Sequence, residues 1–90
     1  MEKEWIEKHI DDMVQDICKL SDIPSLMLKT EDPDMPFGQA CLDSLHAALD
    51  LGSSMGCETF NHENYCGTLL WKGESDTEIG CFGHADVVPA

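Results

Sequence analysis

Between Glu2 and Leu20 the apolar residues Ile6, Ile10, Met13, Val14, Ile17 and Leu20 recur at three- and four-residue intervals, with Trp5 beside them and acids on the opposite side. This spacing predicts an amphipathic helix over about residues 2–20. Glu2, Glu4 and Glu7 fall in its first turns, where negative charge offsets the positive end of the helix dipole. The string SDIPS stops it, because Pro24 has no amide hydrogen and keeps Ile23 out of the helical region. A second helical pattern covers about 39–54, with Cys41, Leu42, Leu45, Ala48 and Leu49 on one face and a stop near Gly56. The intervening KTEDPDMPFG, rich in proline and acids, reads as a loop. Its carboxylates Glu31, Asp32 and Asp34 lack the ligand spacing of a calcium-binding EF-hand and read as solvated loop acids.

After Gly56 the period changes from helical to extended. Three short β-rich pieces, about 57–60, 64–71 and 78–88, are separated by the turn-forming NHEN and KGESD. The last is almost free of charge before Asp86, as expected for an interior strand covered on both faces. Two amphipathic helices followed by three strands predict an α/β fold, with the helices packed on the sheet.

Composition narrows what such a chain can do. Ninety residues suit one small domain, which buries only about 60 to 65% of its unfolded surface and therefore has a thin core. Against 5 basic residues stand 18 acidic ones, a net charge of −13. That field argues against nucleic acid and anionic membranes as partners. The charged start MEKEWIEKHIDD is no signal peptide, and no long apolar run is present to span a bilayer. Five cysteines, Cys18, Cys41, Cys57, Cys66 and Cys81, are an odd number without a C-x-x-C pair. They suggest reduced, mostly buried thiols and a cytoplasmic location rather than a disulfide framework or a zinc ribbon.

The chemistry-bearing residues lie in the closing GHADVVPA. In an extended strand Phe82, His84 and Asp86 share one face, so the imidazole and the carboxylate are neighbours. Such a pair suits a metal-bound histidine, one ring nitrogen on the cation and the other N–H held by a carboxylate that sets the tautomer. Zinc accepts this imidazole-plus-oxygen chemistry. A histidine and an acid two apart also occur at ordinary strand ends, meeting water or each other, and one histidine cannot hold zinc, which takes three or four protein ligands. His9, His46 and His62 lie on segments whose distance from His84 the sequence leaves open.

GHADVVP resembles the G-H-x-D-V-V-P signature of the di-zinc peptidases of clan MH, which include aminoacylases, deacylases and dipeptidases. LSDIPS is similar to that family's opening L-x-x-I-P-S, and MPFG with NYCG resembles the PepV-type dipeptidases. The resemblance implies that the chain is the N-terminal part of a larger zinc-peptidase catalytic domain, with His84 as metal ligand and Asp86 as the catalytic carboxylate that orients it. It further implies two zinc ions in the intact enzyme, a dipeptide or N-acyl amino acid as substrate, and hydrolysis by a metal-activated water. The family's remaining ligands and its glutamate base match nothing in these ninety residues, so the chain alone is expected to be inactive and its incomplete sheet to invite self-association. The alternative is a non-catalytic acidic binding or regulatory module derived from the same family.

Overall fold

The computed structural model describes residues 2–89. Its elements are α1 (Glu2–Ser21), α2 (Gln39–Ser54), β1 (Glu58–His62) and β2 (Cys66–Leu70), an α/β arrangement in which both helices fall where the apolar period places them. The end of α2 is built by its glycine. Gly56 takes φ 93°, and its N–H donates to the carbonyl of Ser53 while that of Cys57 donates to Gly52. This is a Schellman closure, which uses the left-handed region that only glycine enters without strain. At the other end Gly38, at φ 94°, lies against the Cβ of Leu28 and lets the chain turn into α2.

The strands β1 and β2 pair antiparallel, with Glu58 opposite Leu70 and His62 opposite Cys66. The reversal is made by Glu63 and Asn64, both at positive φ, and closed by Tyr65 N–H donating to the His62 carbonyl. Positive φ at both central residues follows the strands' right-handed twist, and asparagine tolerates it well. The turn thus sits two residues beyond NHEN's start, and the strands shift with it, to 58–62 and 66–70. Asn64 also ties the hairpin to the proline-rich loop through its amide, which donates to the Asp34 carbonyl at 2.8 Å.

Two glycines let the hairpin lie on α2. A methyl group at Gly67 would meet the end of Leu49 at 2.7 Å, and one at Gly52 would overlap the end of Leu69. Helix and sheet therefore interlock, each glycine receiving a leucine from the other element.

The expected third strand over 78–88 is not among the described elements. Val87 makes a single parallel bridge to Leu26, and Ile79 and Phe82 are 91% and 101% exposed, the opposite of an interior strand. β-propensity expresses itself through neighbours that supply a hydrogen-bond ladder and a packed face. Among the described residues no strand pairs with 78–86 on either side, so their apolar sequence is left without a ladder. For the same reason α1 keeps its apolar stripe uncovered, with Ile6, Ile10, Val14 and Ile17 all exposed. Among the described residues no hydrophobic side chain is fully buried, whereas two serines, Ser25 and Ser44, are 1% exposed.

Candidate functional site

Three segments meet at the C-terminal stretch 83–87. The first is the turn after α1. Pro24 ends the helical run, and two tight bonds, Ser25 N–H to Ile23 and Leu26 N–H to Pro24, bend the chain back on itself. That bend points the Ser25 side chain inward. The second is α2, whose inner face carries Cys41 and, one turn on, Ser44 and Leu45. The third is GHADV, which lies across both.

The contacts are polar and concentrated on one peptide stretch. Ser25 Oγ donates to the Ala85 carbonyl at 2.7 Å, and Ser44 Oγ donates to the same oxygen at 3.3 Å. Val87 N–H donates to the Ser25 carbonyl at 3.0 Å. The Cys41 thiol reaches that carbonyl as well, at 3.5 Å. Burial pushes the Cys41 thiol above its ordinary pKa, and the negative charge of Asp86 adds to the rise. The shift favours the protonated thiol, which packs and donates here.

His84 and Asp86 meet as their spacing suggests. His84 Nδ1 lies 3.1 Å from Asp86 Oδ1 and 3.0 Å from the Asp86 main-chain oxygen. Both are acceptors when the carboxylate is ionised, so Nδ1 carries a proton. The orienting group is thus wider than a carboxylate alone, since the ring is also held by a backbone carbonyl. Both side chains face outward, 82% and 50% exposed. They stand on the rim of an open groove of about 820 Å³ between α2, the hairpin and residues 83–87.

The other histidines are not brought to this pair. His9 stacks on Trp5, with ring centroids 4.1 Å apart. His62 bonds Thr68 Oγ1 across the hairpin at 2.8 Å, and His46 lies exposed on α2. Among the described residues no group of three or more His, Cys, Asp or Glu is placed to hold a metal ion. The donor chemistry of His84 fits one zinc ligand; three or four are needed for a site. The residues that sequence reasoning overlooked are Ser25 and Ser44; Cys41, expected as a mostly buried thiol on this face, is partly buried. A legible signal existed for Ser44, a polar residue on the apolar stripe of α2 beside Leu45 and Ala48.

No protein-family model matches the chain, and no solved structure matches it. Two curated proteins do. The chain is 38% identical over 80 residues, 88% of its own length and 17% of the relative's, to YtjP of Bacillus subtilis (strain 168), provisionally named a dipeptidase. It is 33% identical over 89 residues, 98% of its own length and 19% of the relative's, to the β-Ala-Xaa dipeptidase of Lactobacillus delbrueckii subsp. lactis. Nearly the whole chain is therefore similar to part of these dipeptidases, and it spans less than a fifth of their length.

Proposed function

We propose that these residues form the N-terminal portion of a zinc-dependent dipeptidase of the clan MH type, in which His84 supplies one metal ligand and Asp86 orients it. The observation that carries this reading is the His84–Asp86 geometry: Nδ1–H is engaged by the carboxylate at 3.1 Å, which leaves Nε2 as the ring nitrogen available to a cation. A histidine held in this way presents a fixed lone pair, with its tautomer and ring direction set by the partner. Bound zinc would supply a Lewis acid that polarises the substrate amide and lowers the pKa of an attacking water. The work of this chain's own residues is to hold and aim the imidazole. Asp86 accepts the hydrogen bond from Nδ1–H and so fixes the direction of the ring.

The substrate class that goes with the similarity to dipeptidases is a dipeptide, with an N-acyl amino acid as its chemical neighbour. The branch closest to this reading is the PepV type, on MPFG and NYCG. An odd set of cysteines without disulfide spacing favours a reducing compartment, and we assign the activity to the cytoplasm. No helix among the described residues is long and apolar enough to cross a membrane.

A chimera tests this directly. Residues 1–90 replace the matching segment of the Lactobacillus β-Ala-Xaa dipeptidase, and zinc content, helicity and hydrolysis of a β-alanyl dipeptide are measured. The expected result is a folded, zinc-loaded enzyme whose activity disappears with His84→Ala. Undiminished hydrolysis by the His84→Ala chimera would sink the assignment.

A further inference from the structure

The only fully buried side chains among the described residues are two serines, and neither belongs to the His84–Asp86 pair. Both donate to one atom, the Ala85 carbonyl oxygen. Hydroxyls buried in this way retain their place only when bonded, and no buried side-chain polar atom among the described residues lacks a partner. The target is specific, because Ala85 is the residue between His84 and Asp86.

Ser25 acts at two points. Its hydroxyl holds the Ala85 carbonyl, which belongs to the peptide group linking Ala85 to Asp86. Its own carbonyl accepts Val87 N–H, which belongs to the peptide group linking Asp86 to Val87. Peptide groups are planar, so pinning one atom of each restricts both planes that flank Asp86. The second plane matters most. Its N–H is bonded to Ser25 while its carbonyl, that of Asp86, accepts the His84 ring proton at 3.0 Å. One continuous path thus runs from the buried Ser25, through a single peptide unit, to the histidine ring, and bonds in such a chain polarise one another in the same sense.

We infer that Ser25 and Ser44 are positioning residues for His84 and Asp86: their hydroxyls clamp the Ala85 carbonyl, and Ser25 through Val87 N–H sets the carbonyl that holds the His84 ring. The role toward a metal rests on the dipeptidase reading, whereas the clamp itself is a property of this chain. Ser44 anchors the clamp to α2 and Ser25 to the turn after α1, so the pair is aimed by two elements distant in sequence.

The test uses the full chain and its Ser25→Ala, Ser44→Ala and double variants, which remove the hydroxyls with little change in volume. Amide exchange at Val87 and the two ring nitrogen shifts of His84 are read by NMR, with hairpin amides as an internal control. In the unaltered chain Val87 is protected and His84 shows the Nδ1–H tautomer. In the double variant Val87 exchanges about five- to tenfold faster and the ring shifts move toward the tautomer average, while hairpin protection stays within about twofold. An unprotected Val87 in the unaltered chain, or ring shifts and exchange that do not respond to the double substitution, overturns the clamp. In the chimera the double variant lowers kcat by about tenfold with KM nearly unchanged; an unchanged kcat there counts against positioning even if Val87 responds. Retained activity on His84→Ala, in contrast, removes the dipeptidase reading and leaves the exchange measurement to decide the clamp alone.

Discussion

At the scale of single residues, the environment of each polar group sets its task. His84 is held by two oxygens of Asp86, one on the side chain and one on the main chain. Asp86→Ala therefore leaves the ring partly oriented through the backbone carbonyl, whereas it and Asp86→Asn both remove the carboxylate charge 3.1 Å from Nδ1. In the chimera we expect Asp86→Asn and Asp86→Ala to fall within a few-fold of each other, both about 10- to 100-fold below the parent in metal affinity or activity. Measuring zinc retention beside kcat separates the two contributions. Cys41 offers a second check. Its thiol is pushed up by burial and by Asp86, so its reaction with iodoacetamide near neutral pH should be roughly three- to tenfold slower than that of exposed Cys18, Cys66 or Cys81. The same shift couples to stability. The folded chain retains the Cys41 proton where the unfolded chain has lost it, so the contribution is complete below the ordinary thiol value of about 8.5 and is lost as pH rises through the higher folded value. A urea midpoint that declines above about pH 8.5, and declines less in Cys41→Ala, is the expected outcome.

At the scale of elements, glycine decides where the helix ends and how closely the hairpin approaches it. Gly56→Ala forces a side chain into φ 93°, which costs about 1 kcal/mol or somewhat more. Gly67→Ala places a methyl 2.7 Å from the end of Leu49; because that end can rotate, the cost is about 1–2 kcal/mol rather than complete loss of the fold. Urea titrations followed by helicity check both values, and a Gly67→Ala chain as stable as its parent would contradict the interlock. Helices were legible in the sequence because a 3.6-residue apolar period and its stop signals are local. Even Ser21 and Ser54 as last residues lie within one position of the expected ends. The third strand was not legible in the same way. Ile79, Phe82, Val87 and Val88 carry β-propensity, but a strand exists only where another backbone pairs with it, and among the described residues only Ser25 and Leu26 do so.

At the scale of the whole molecule, uncovered apolar surface and a net charge of −13 oppose each other. The stripe of α1, the open edges of the hairpin and exposed Phe82 and Val88 favour association, while like charge resists it. Raising salt from about 0.05 M to about 0.5 M shortens the screening length severalfold, so association should strengthen with salt in sedimentation experiments. A chain that remains monomeric throughout would show that its apolar faces are not sufficient. Zinc binding by the isolated chain is expected to be weak, since the described residues offer no set of three ligands. A dissociation constant below about 1 μM in calorimetry would contradict the single-ligand assignment.

The sequence by itself determined the two helices, the presence though not the bounds of the first two strands, and the identity of His84 and Asp86 as neighbours, since each rests on interactions between residues close along the chain. Tertiary structure alone decided what holds that pair. Ser25 and Ser44 lie 60 and 41 positions from Ala85, and no periodicity connects them to it. Their common target exists only because the turn at Pro24 and the inner face of α2 converge on the same carbonyl. Burial then commits two ordinary serines to that carbonyl, because a hydroxyl removed from water must find a partner.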